Sequence, residues 1–238
     1  MAHYIPTDMG VVFFTGPRGA GARTMADTFH KTLCYDRKIG QQVELVNSGE
    51  LIKTFGRGLS GKIGRTVTEH LRAGEPIGDT TMTEIFYMWL INECDRNRKL
   101  KTVILSGAPR NRNQTRLIGV VENPLIVNLG CNREELLSIA EENGSGHRFH
   151  QHWDAYENDL LPAIKRLKPR QVVHVDRTNP LQRRIEHVLQ AMKTRYKTPV
   201  PVPIIEEALR AITDNRSPIS RQIAEIDPPK KQELVTAT

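Results

Sequence analysis

The chain has 238 residues, of which 38% are hydrophobic, 26% charged and 5% aromatic, and this predicts one globular domain with a sizeable core. The lack of a long apolar run, of a secretory-signal pattern and of more than three cysteines argues against a membrane-spanning, secreted or disulfide-framed protein, so we expect a cytoplasmic location. A formal net charge of +7 suits phosphate-bearing partners, or it serves solubility.

The first predicted strand, Met9–Thr15, runs directly into a glycine-rich segment that precedes a predicted helix. Such a segment turns successive backbone N–H groups toward one point, and the helix dipole adds positive charge there, so the sequence predicts a phosphate-binding loop. An ordinary strand–helix turn is the alternative. The loop residues expected to contact a nucleotide are Gly16, Gly19, Ala20, Gly21 and Thr24.

This loop lacks the lysine that usually follows its last glycine and reaches the β- and γ-phosphates. Ala22 occupies that position, and Arg23 lies one residue further, about 100° away around the helix. Arg23 therefore does not simply replace the lysine, which leaves Arg18, within the loop, as a second candidate for the donor-side cation. A site with one cation fewer is the simpler alternative.

The rest of the chain alternates short β-rich runs with helical segments, which predicts an α/β fold with a parallel sheet. Runs of Val, Ile and Leu without polar alternation indicate strands that are buried on both faces. The predicted strands are Met9–Thr15, Gln41–Asn47, Lys101–Ser106, Pro124–Leu129 and Gln171–Asp176.

Three of the helical segments carry apolar residues with a period of 3.6, which predicts helices whose apolar faces join the core. The apolar positions are Met82, Ile85, Phe86, Trp89 and Leu90 in the first segment, Trp153, Tyr156, Leu160 and Ile164 in the second, and Leu181, Ile185, Val188 and Met192 in the third. We expect Pro180 at the first position of the third helix, where its missing N–H costs no hydrogen bond.

Residues 195–238 differ from the rest in composition and are predicted to form a Pro-rich, partly disordered extension with one short helix over Ile204–Ile212. The prolines are Pro199, Pro201, Pro203, Pro218, Pro228 and Pro229. The end of this extension is either only mobile, or it docks onto the body of the protein or onto a protein partner.

Further motifs follow the predicted strands. The sequence NSGELIK at 47–53 follows the second strand, LRAG at 71–74 and IGD at 77–79 lie further along, SGAPR at 106–110 with Gln114 follows the third strand, and DRTNP at 176–180 follows the last. Together with the glycine loop they resemble adenylate kinase and other nucleoside-monophosphate kinases, whose corresponding motifs are S-T-G-D-x-x-R, D-A-G-x-x-V-x-D and D-G-F-P-R-x-x-x-Q. The resemblance covers about residues 9–194.

For the fold, the resemblance implies a three-layer P-loop nucleotide-kinase domain over residues 1–194, with a five-stranded parallel sheet. A helical acceptor-binding subdomain would span about 48–80, and a short lid about 141–148. The chain would be a short-lid member of the family.

For the acceptor nucleotide, the resemblance implies that Arg110 clamps the phosphate and Gln114 reads the edge of the base. Lys53 stands where the family has an arginine, so it offers a point charge without a bidentate fork. The acceptor-binding residues implied in this way are Ser48, Gly49, Lys53, Gly107, Arg110 and Gln114.

For the donor nucleotide, the resemblance implies that Asn179 borders the adenine and that Arg148 is the lid cation at the transferred phosphate. Ser106 stands where the family has a magnesium-binding aspartate; it would hold the metal through water, with Thr24 as the second metal contact. Two family arginines, one on the lid helix and one that stacks on the adenine, correspond to His152 and Ala140. The catalytic residues expected are Arg18, Arg23, Arg110 and Arg148.

The implied activity is transfer of the γ-phosphate of ATP to a nucleoside monophosphate with Mg²⁺. Because Ala22 and Ser106 replace the loop lysine and the metal aspartate, the alternative is a catalytically impaired nucleotide-binding pseudo-kinase that acts as a sensor or as a structural or interaction subunit. The expected partners are nucleoside mono- and triphosphates, with the extension as a candidate protein-binding segment. Nucleic acid is not expected, since no aromatic residues interleave the basic run near Lys165. Three histidines near Arg148 do not share one helical face, which favours a solvated or phosphate-facing basic turn over a metal site.

Overall fold

The structure, a computed structural model, describes residues 9–35, 40–73, 77–121, 123–194, 200–214 and 217–227. Its centre is a parallel sheet of five strands, which confirms the predicted fold class. The strands are β1 (Gly10–Thr15), β2 (Val43–Asn47), β3 (Thr102–Ser106), β4 (Asn123–Gly130) and β5 (Val172–Asp176), and they differ from the predictions only at their ends. They lie side by side in the order β2-β3-β1-β4-β5.

The central strand shows why the protein has three layers. All of β1 is buried, and its alternate side chains point to opposite faces of the sheet. Val12 and Phe14 join one hydrophobic core, while Val11 and Phe13 join the other. A strand that is apolar on both faces therefore requires helices on both faces, as the uninterrupted apolar run predicts.

Helices cover both faces of this sheet. They are α1 (Ala22–Leu33), α2 (Ser48–Leu51), α3 (Gly61–Ala73), α4 (Asp79–Arg96), α5 (Arg133–Glu142), α6 (Phe149–Asp154), α7 (Leu161–Lys165), α8 (Leu181–Lys193), α9 (Val202–Thr213) and α10 (Pro218–Ile226). π-helical turns follow α2 at Ile52–Gly56 and α6 at Ala155–Leu160, and 3-10 turns lie at Asn113–Val120, Gly146–Arg148 and Pro169–Gln171. The residues of all three predicted apolar stripes are buried. No helix within the described ranges is both long enough and apolar enough to span a membrane.

The prediction for Pro180 was wrong by one position. Pro180 is the N-cap of α8, with an extended ψ of 143°, and the helix begins at Leu181. Since the residue is outside the helix, its carbonyl accepts the first helical hydrogen bond, from the N–H of Arg184.

The C-terminal segment is more ordered than its composition suggested. The helix expected over Ile204–Ile212 is confirmed as part of α9, and Pro218, predicted to lie in a disordered tail, begins α10 instead. Proline is favoured at this first helical position, and the Ser217 side chain caps the helix by accepting the N–H of Ser220. Pro199, Pro228 and Pro229 lie outside the described ranges, so their predictions stay predictions.

Helices α9 and α10 pack onto the body of the domain. Their buried apolar residues join the same core as α1, α8 and one face of the sheet. After α10, the Asp227 carboxylate accepts the backbone N–H of Leu181 and lies 3.3 Å from the guanidinium of Arg184, both in α8. The division into two units at residue 194 stays a prediction.

Replacement of Ile205 in α9 tests this packing. The side chain is fully buried in the shared core, so Ile205→Ala is expected to lower the free energy of unfolding by about 2–5 kcal/mol. Val202→Ala, on the same helix but at a position 39% exposed, is the matched control and is expected to change it by less than about 0.5 kcal/mol. Urea denaturation measures both, and equal effects would contradict a packed α9.

Candidate functional site

The glycine loop has the geometry of an anion cradle. Gly16, Gly19 and Gly21 have φ angles of 150°, 94° and 87°, which L-residues with side chains rarely adopt. At Gly16 an added Cβ would lie 2.8 Å from the carbonyl oxygen of Leu129, so the loop also passes close to β4. Helix α1 begins directly after the loop, at Ala22, and its N-terminus therefore faces the same space.

The register of the sheet brings the predicted motifs together. Asn47 at the end of β2 and Phe14 near the end of β1 both pair with Ser106 at the end of β3. The carboxyl ends of these parallel strands thus meet at one edge, and the segments that follow them lie side by side. The Thr15 hydroxyl donates to the carbonyl of Pro109, which ties the end of β1 to the loop after β3.

Three arginines from separate parts of the chain act electrostatically on the same histidine, His152; we call Arg18, Arg110 and Arg148 the arginine cluster. Arg18 Nη1 lies 2.8 Å from Nε2 of His152 in α6. Burial lowers the pKa of His152, and so do the positive charges of the three arginines around it. Partial desolvation and the charge of Arg18 also lower the pKa of Arg110, although the residue keeps exposed surface.

The cluster concentrates positive charge without an internal counter-ion. In the part of the chain that the structure describes, none of its three arginines forms a salt bridge, whereas Arg177 and Arg184 each pair with a carboxylate. Like charges held this close repel one another, and a bound anion removes that repulsion while accepting their hydrogen bonds. The arrangement is thus suited to a phosphate group.

A pocket of about 190 Å³ opens beside the cluster. The residues of α5 on its wall are apolar, while Arg18 and Arg148 line it with positive charge. Such a pocket can hold a flat apolar group together with a charged one. It is lined by Arg18, Gly19, Leu136, Ile139, Ala140, Asn143, Ser145, Arg148, Phe149 and His152.

Ser48 and Arg110 both donate hydrogen bonds to Gly107. The buried Ser48 hydroxyl donates to the Gly107 carbonyl at 3.0 Å, and Arg110 Nε donates to the same oxygen at 2.7 Å. Gly49 follows Ser48 in α2, and its N–H donates to the Asn47 side chain at 2.9 Å. The structure thus brings Ser48 and Arg110, two of the predicted acceptor residues, together at Gly107.

Gly107 allows this close approach. Its φ is 81°, and an added Cβ would lie 2.9 Å from Ser48 Oγ and 3.2 Å from Arg110 Nη2.

Gly107→Ala is therefore expected to cost about 1–2 kcal/mol of folding free energy and to weaken AMP binding by displacing the Arg110 guanidinium. Urea denaturation and calorimetric titration with AMP measure the two effects. Gly58→Ala, where an added Cβ meets nothing within 4 Å, is the control. An unchanged AMP affinity in Gly107→Ala would contradict the assignment.

Gln114 has a different environment from the one expected. Its Oε1 accepts the backbone N–H of Arg110 at 2.9 Å, and its Nε2 donates to Asp79 Oδ1 at 2.9 Å. Asn111 Nδ2 donates to the same carboxylate oxygen at 2.9 Å. Gln114 therefore braces the segment that carries Arg110, and its role in reading a base stays a prediction. Asp79 and Asn111 were missed as positioning residues, although the IGD motif that contains Asp79 was noted.

Three of the predicted site residues are exposed and do not belong to the arginine cluster: Lys53, Arg23 and Asn179. Lys53, in the π-helical turn, is 63% exposed, and its ammonium is 4.0 Å from the Glu50 carboxylate. Arg23 is exposed on the first turn of α1, as its offset from Ala22 suggested. Neither side chain contributes to the pKa shift of Arg110 or His152. Asn179 is exposed in the turn after β5, where its N–H donates to the Asp176 carbonyl at 3.3 Å.

The predicted metal contacts do not make a magnesium site by themselves. Ser106 is 1% exposed, and its hydroxyl accepts a hydrogen bond from Asn47 Nδ2 at 3.1 Å. Thr24 is exposed on α1, and no group of three or more His, Cys, Asp or Glu side chains in the described ranges could hold a metal ion. Magnesium in proteins is usually bound by carboxylates together with substrate phosphates, so these residues do not fit a metal held by the protein alone.

Comparisons with known proteins find distant structural similarity only. No protein-family model and no curated protein sequence matches this chain. A gluconokinase from Sinorhizobium meliloti 1021 is similar in structure, with 14% identity, a TM-score of 0.46 and coverage of 79% of this chain and 93% of the other. A sugar kinase from Janibacter sp. HTCC2649 has 16% identity, a TM-score of 0.48 and coverage of 84% and 98%. With TM-scores below 0.5 and identities of 14% and 16%, these similarities support no statement about this protein's activity.

Proposed function

We propose that this protein is a phosphotransferase that moves the γ-phosphate of ATP to a nucleoside monophosphate. The observation that carries the proposal is that the arginine cluster joins the two predicted nucleotide sites, since Arg18 belongs to the glycine loop while Arg110 shares the Gly107 carbonyl with Ser48 and has its pKa lowered by the charge of Arg18. A phosphate that moves from a donor nucleotide at the glycine loop to an acceptor nucleotide near Ser48 would lie at this cluster.

The chemistry of phosphoryl transfer needs this kind of site. The protein mainly holds donor and acceptor in line and neutralises the charge on the transferred group. In the proposed complex, the backbone of the glycine loop and the N-terminus of α1 hold the donor phosphates. Arg18 provides the donor-side cation that Ala22 does not, Arg110 contacts the phosphates from the acceptor side, and Arg148 approaches from the lid turn.

Magnesium has a limited place in this proposal. When bound to ATP, the ion would neutralise phosphate charge. Because the protein residues do not form a metal site of their own, the ion would arrive on the nucleotide, and charge neutralisation at the transferred group rests on the arginine cluster.

The acceptor side favours a phosphate-bearing acceptor. Arg110 is held by the Gly107 carbonyl, and its backbone N–H is held by Gln114, so the guanidinium is positioned before the ligand binds. Its charge adjoins that of Arg18, and an acceptor that brings its own phosphate offsets this repulsion where a neutral hydroxyl does not.

One observation favours the second candidate function, a nucleotide-binding pseudo-kinase that acts as a sensor or as a structural subunit. The loop has Ala22 in place of lysine, and Ser106 is buried with its hydroxyl engaged by Asn47. Loss of single charge-stabilising groups typically costs a factor of about 10² to 10³ in rate, so binding can persist after turnover is lost.

An assay of ADP formation at saturating ATP and Mg²⁺ tests the proposal, with AMP, CMP, UMP, GMP and dTMP as acceptors and gluconate as an acceptor without phosphate. We expect turnover with at least one monophosphate and none with gluconate. Calorimetric titration of the same monophosphates separates the two candidates. Binding without turnover would identify a pseudo-kinase, and turnover with gluconate alone would contradict the proposed acceptor class.

A further inference from the structure

His152 accepts a hydrogen bond from a residue that can only donate. Arg18 Nη1 lies 2.8 Å from His152 Nε2, and a guanidinium has no acceptor atom. Nε2 must therefore carry its lone pair, and the ring is neutral with its proton on Nδ1. One of Arg18's N–H groups is thus directed at a neutral imidazole.

Among the residues that the structure describes, the charges that act on this imidazole are those of the three arginines. Arg18 contacts it from the glycine loop, and Arg110, after β3, and Arg148, in the 3-10 turn Gly146–Arg148, lower its pKa by their charge. Helix α5 and the turn after it contribute only uncharged residues to the shared pocket: Leu136, Ile139, Ala140, Asn143 and Ser145. On α6 itself, Phe149 lines the same pocket. Burial and the three arginine charges lower the pKa of His152, which keeps the ring neutral near pH 7.

We infer that His152 is a fourth ligand of the phosphate bound by the arginine cluster and that it takes up one proton when the phosphate binds. The inference rests on the proposed function only in requiring a phosphate at the cluster. The Arg18 hydrogen bond to Nε2 breaks, a proton from solvent binds to Nε2, and the new N–H donates to a phosphate oxygen. The Arg18 N–H that is released donates to the phosphate as well.

The charge balance explains why the proton follows the anion. A phosphate placed among the three arginines contributes negative charge beside His152 and removes the unfavourable field that kept the ring neutral. The pKa of His152 is therefore higher in the complex than in the free protein. Because the complex binds more protons, affinity rises as pH falls between the two pKa values, by at most tenfold per pH unit, and is insensitive to pH above that window.

Calorimetric titration with ATP in the absence of Mg²⁺ tests this inference on the full chain. The binding enthalpy is measured at pH 7.5 in buffers of different ionisation enthalpy, and its slope gives the number of protons taken up. We expect a positive number for the unmodified protein and a number close to zero for His152→Gln, which keeps an acceptor for Arg18 but does not titrate. His150→Gln is the matched control and should retain the proton uptake. His150 is exposed on the same helix, and its Nδ1 lies 3.1 Å from Nη2 of Arg133.

The outcomes separate this inference from the proposed function. ATP binding with the same proton uptake in the unmodified protein and in His152→Gln would overturn the role of His152 and leave phosphate binding intact. Loss of proton uptake in both histidine variants would assign the proton to a general effect of α6 and would also overturn the role of His152. Failure of ATP to bind the unmodified protein at all would overturn both.

Discussion

Replacing Arg110 with alanine is expected to reduce phosphoryl transfer by a factor of about 10² to 10³, because this guanidinium faces the transferred phosphate in the proposed complex. Its Nε donates to the Gly107 carbonyl at 2.7 Å, and its charge adjoins that of Arg18. The loss should appear in both kcat and the KM for the monophosphate, since the guanidinium contacts the acceptor phosphate before transfer and charge on the phosphate is redistributed most in the transition state. Initial rates of ADP formation over a range of monophosphate concentrations measure it.

Arg116→Ala is the matched control for Arg110→Ala. Arg116 lies on the same segment, is exposed and does not belong to the arginine cluster. We expect its kcat to stay within about threefold of the unmodified protein, with both variants unfolding at the same urea concentration. Equal losses in the two variants would mean that the segment as a whole, and not the Arg110 guanidinium, supports turnover.

The second large effect is expected for Arg18→Ala. Arg18 is the loop arginine that belongs to the cluster, and its Nη1 lies 2.8 Å from Nε2 of His152. Ala22 puts no charge at the position where such loops usually have lysine. Removing it should slow transfer by about 10²-fold, comparable to other losses of a charge-stabilising group. A second substitution, Ala22→Lys, introduced into Arg18→Ala, should recover part of that loss by returning an ammonium to the donor phosphates.

Arg23→Ala is the control for the loop. Arg23 is exposed on α1, and its charge does not shift the pKa of Arg110 or His152, so its removal should leave kcat nearly unchanged. A large loss in Arg23→Ala, with little change in Arg18→Ala, would reverse the assignment of the donor-side cation.

Much of the fold could be predicted because its signals are local. The buried run Val11 to Phe14 requires layers on both faces, and the stripe from Met82 to Leu90 has the period of a helix. The glycine loop is recognisable for the same reason, since its strand, turn and helix are contiguous in sequence. Its three positive φ angles agree with what the glycines suggested.

The contacts that complete the site depend on tertiary structure. Arg18 and His152 are 134 residues apart, so no sequence pattern pairs them. The resemblance predicts that Gln114 reads the edge of a base. In the folded chain, however, its Nε2 donates to the Asp79 carboxylate at the start of α4. Pro218 suggested disorder by composition, whereas the Ser217 cap and the apolar face of α10 make it a helix start.

In the proposed reaction, phosphate passes between two nucleotides at the arginine cluster, and a label on that phosphate follows the transfer. The protein is incubated with ATP labelled in its γ-phosphate and with AMP, CMP, UMP, GMP or dTMP in turn, and the nucleotides are separated. We expect label in the nucleoside diphosphate formed from at least one of these acceptors, at a rate that falls by about 10²-fold or more in Arg110→Ala. Label found only in ATP and inorganic phosphate, or an equal rate in Arg110→Ala, would contradict it.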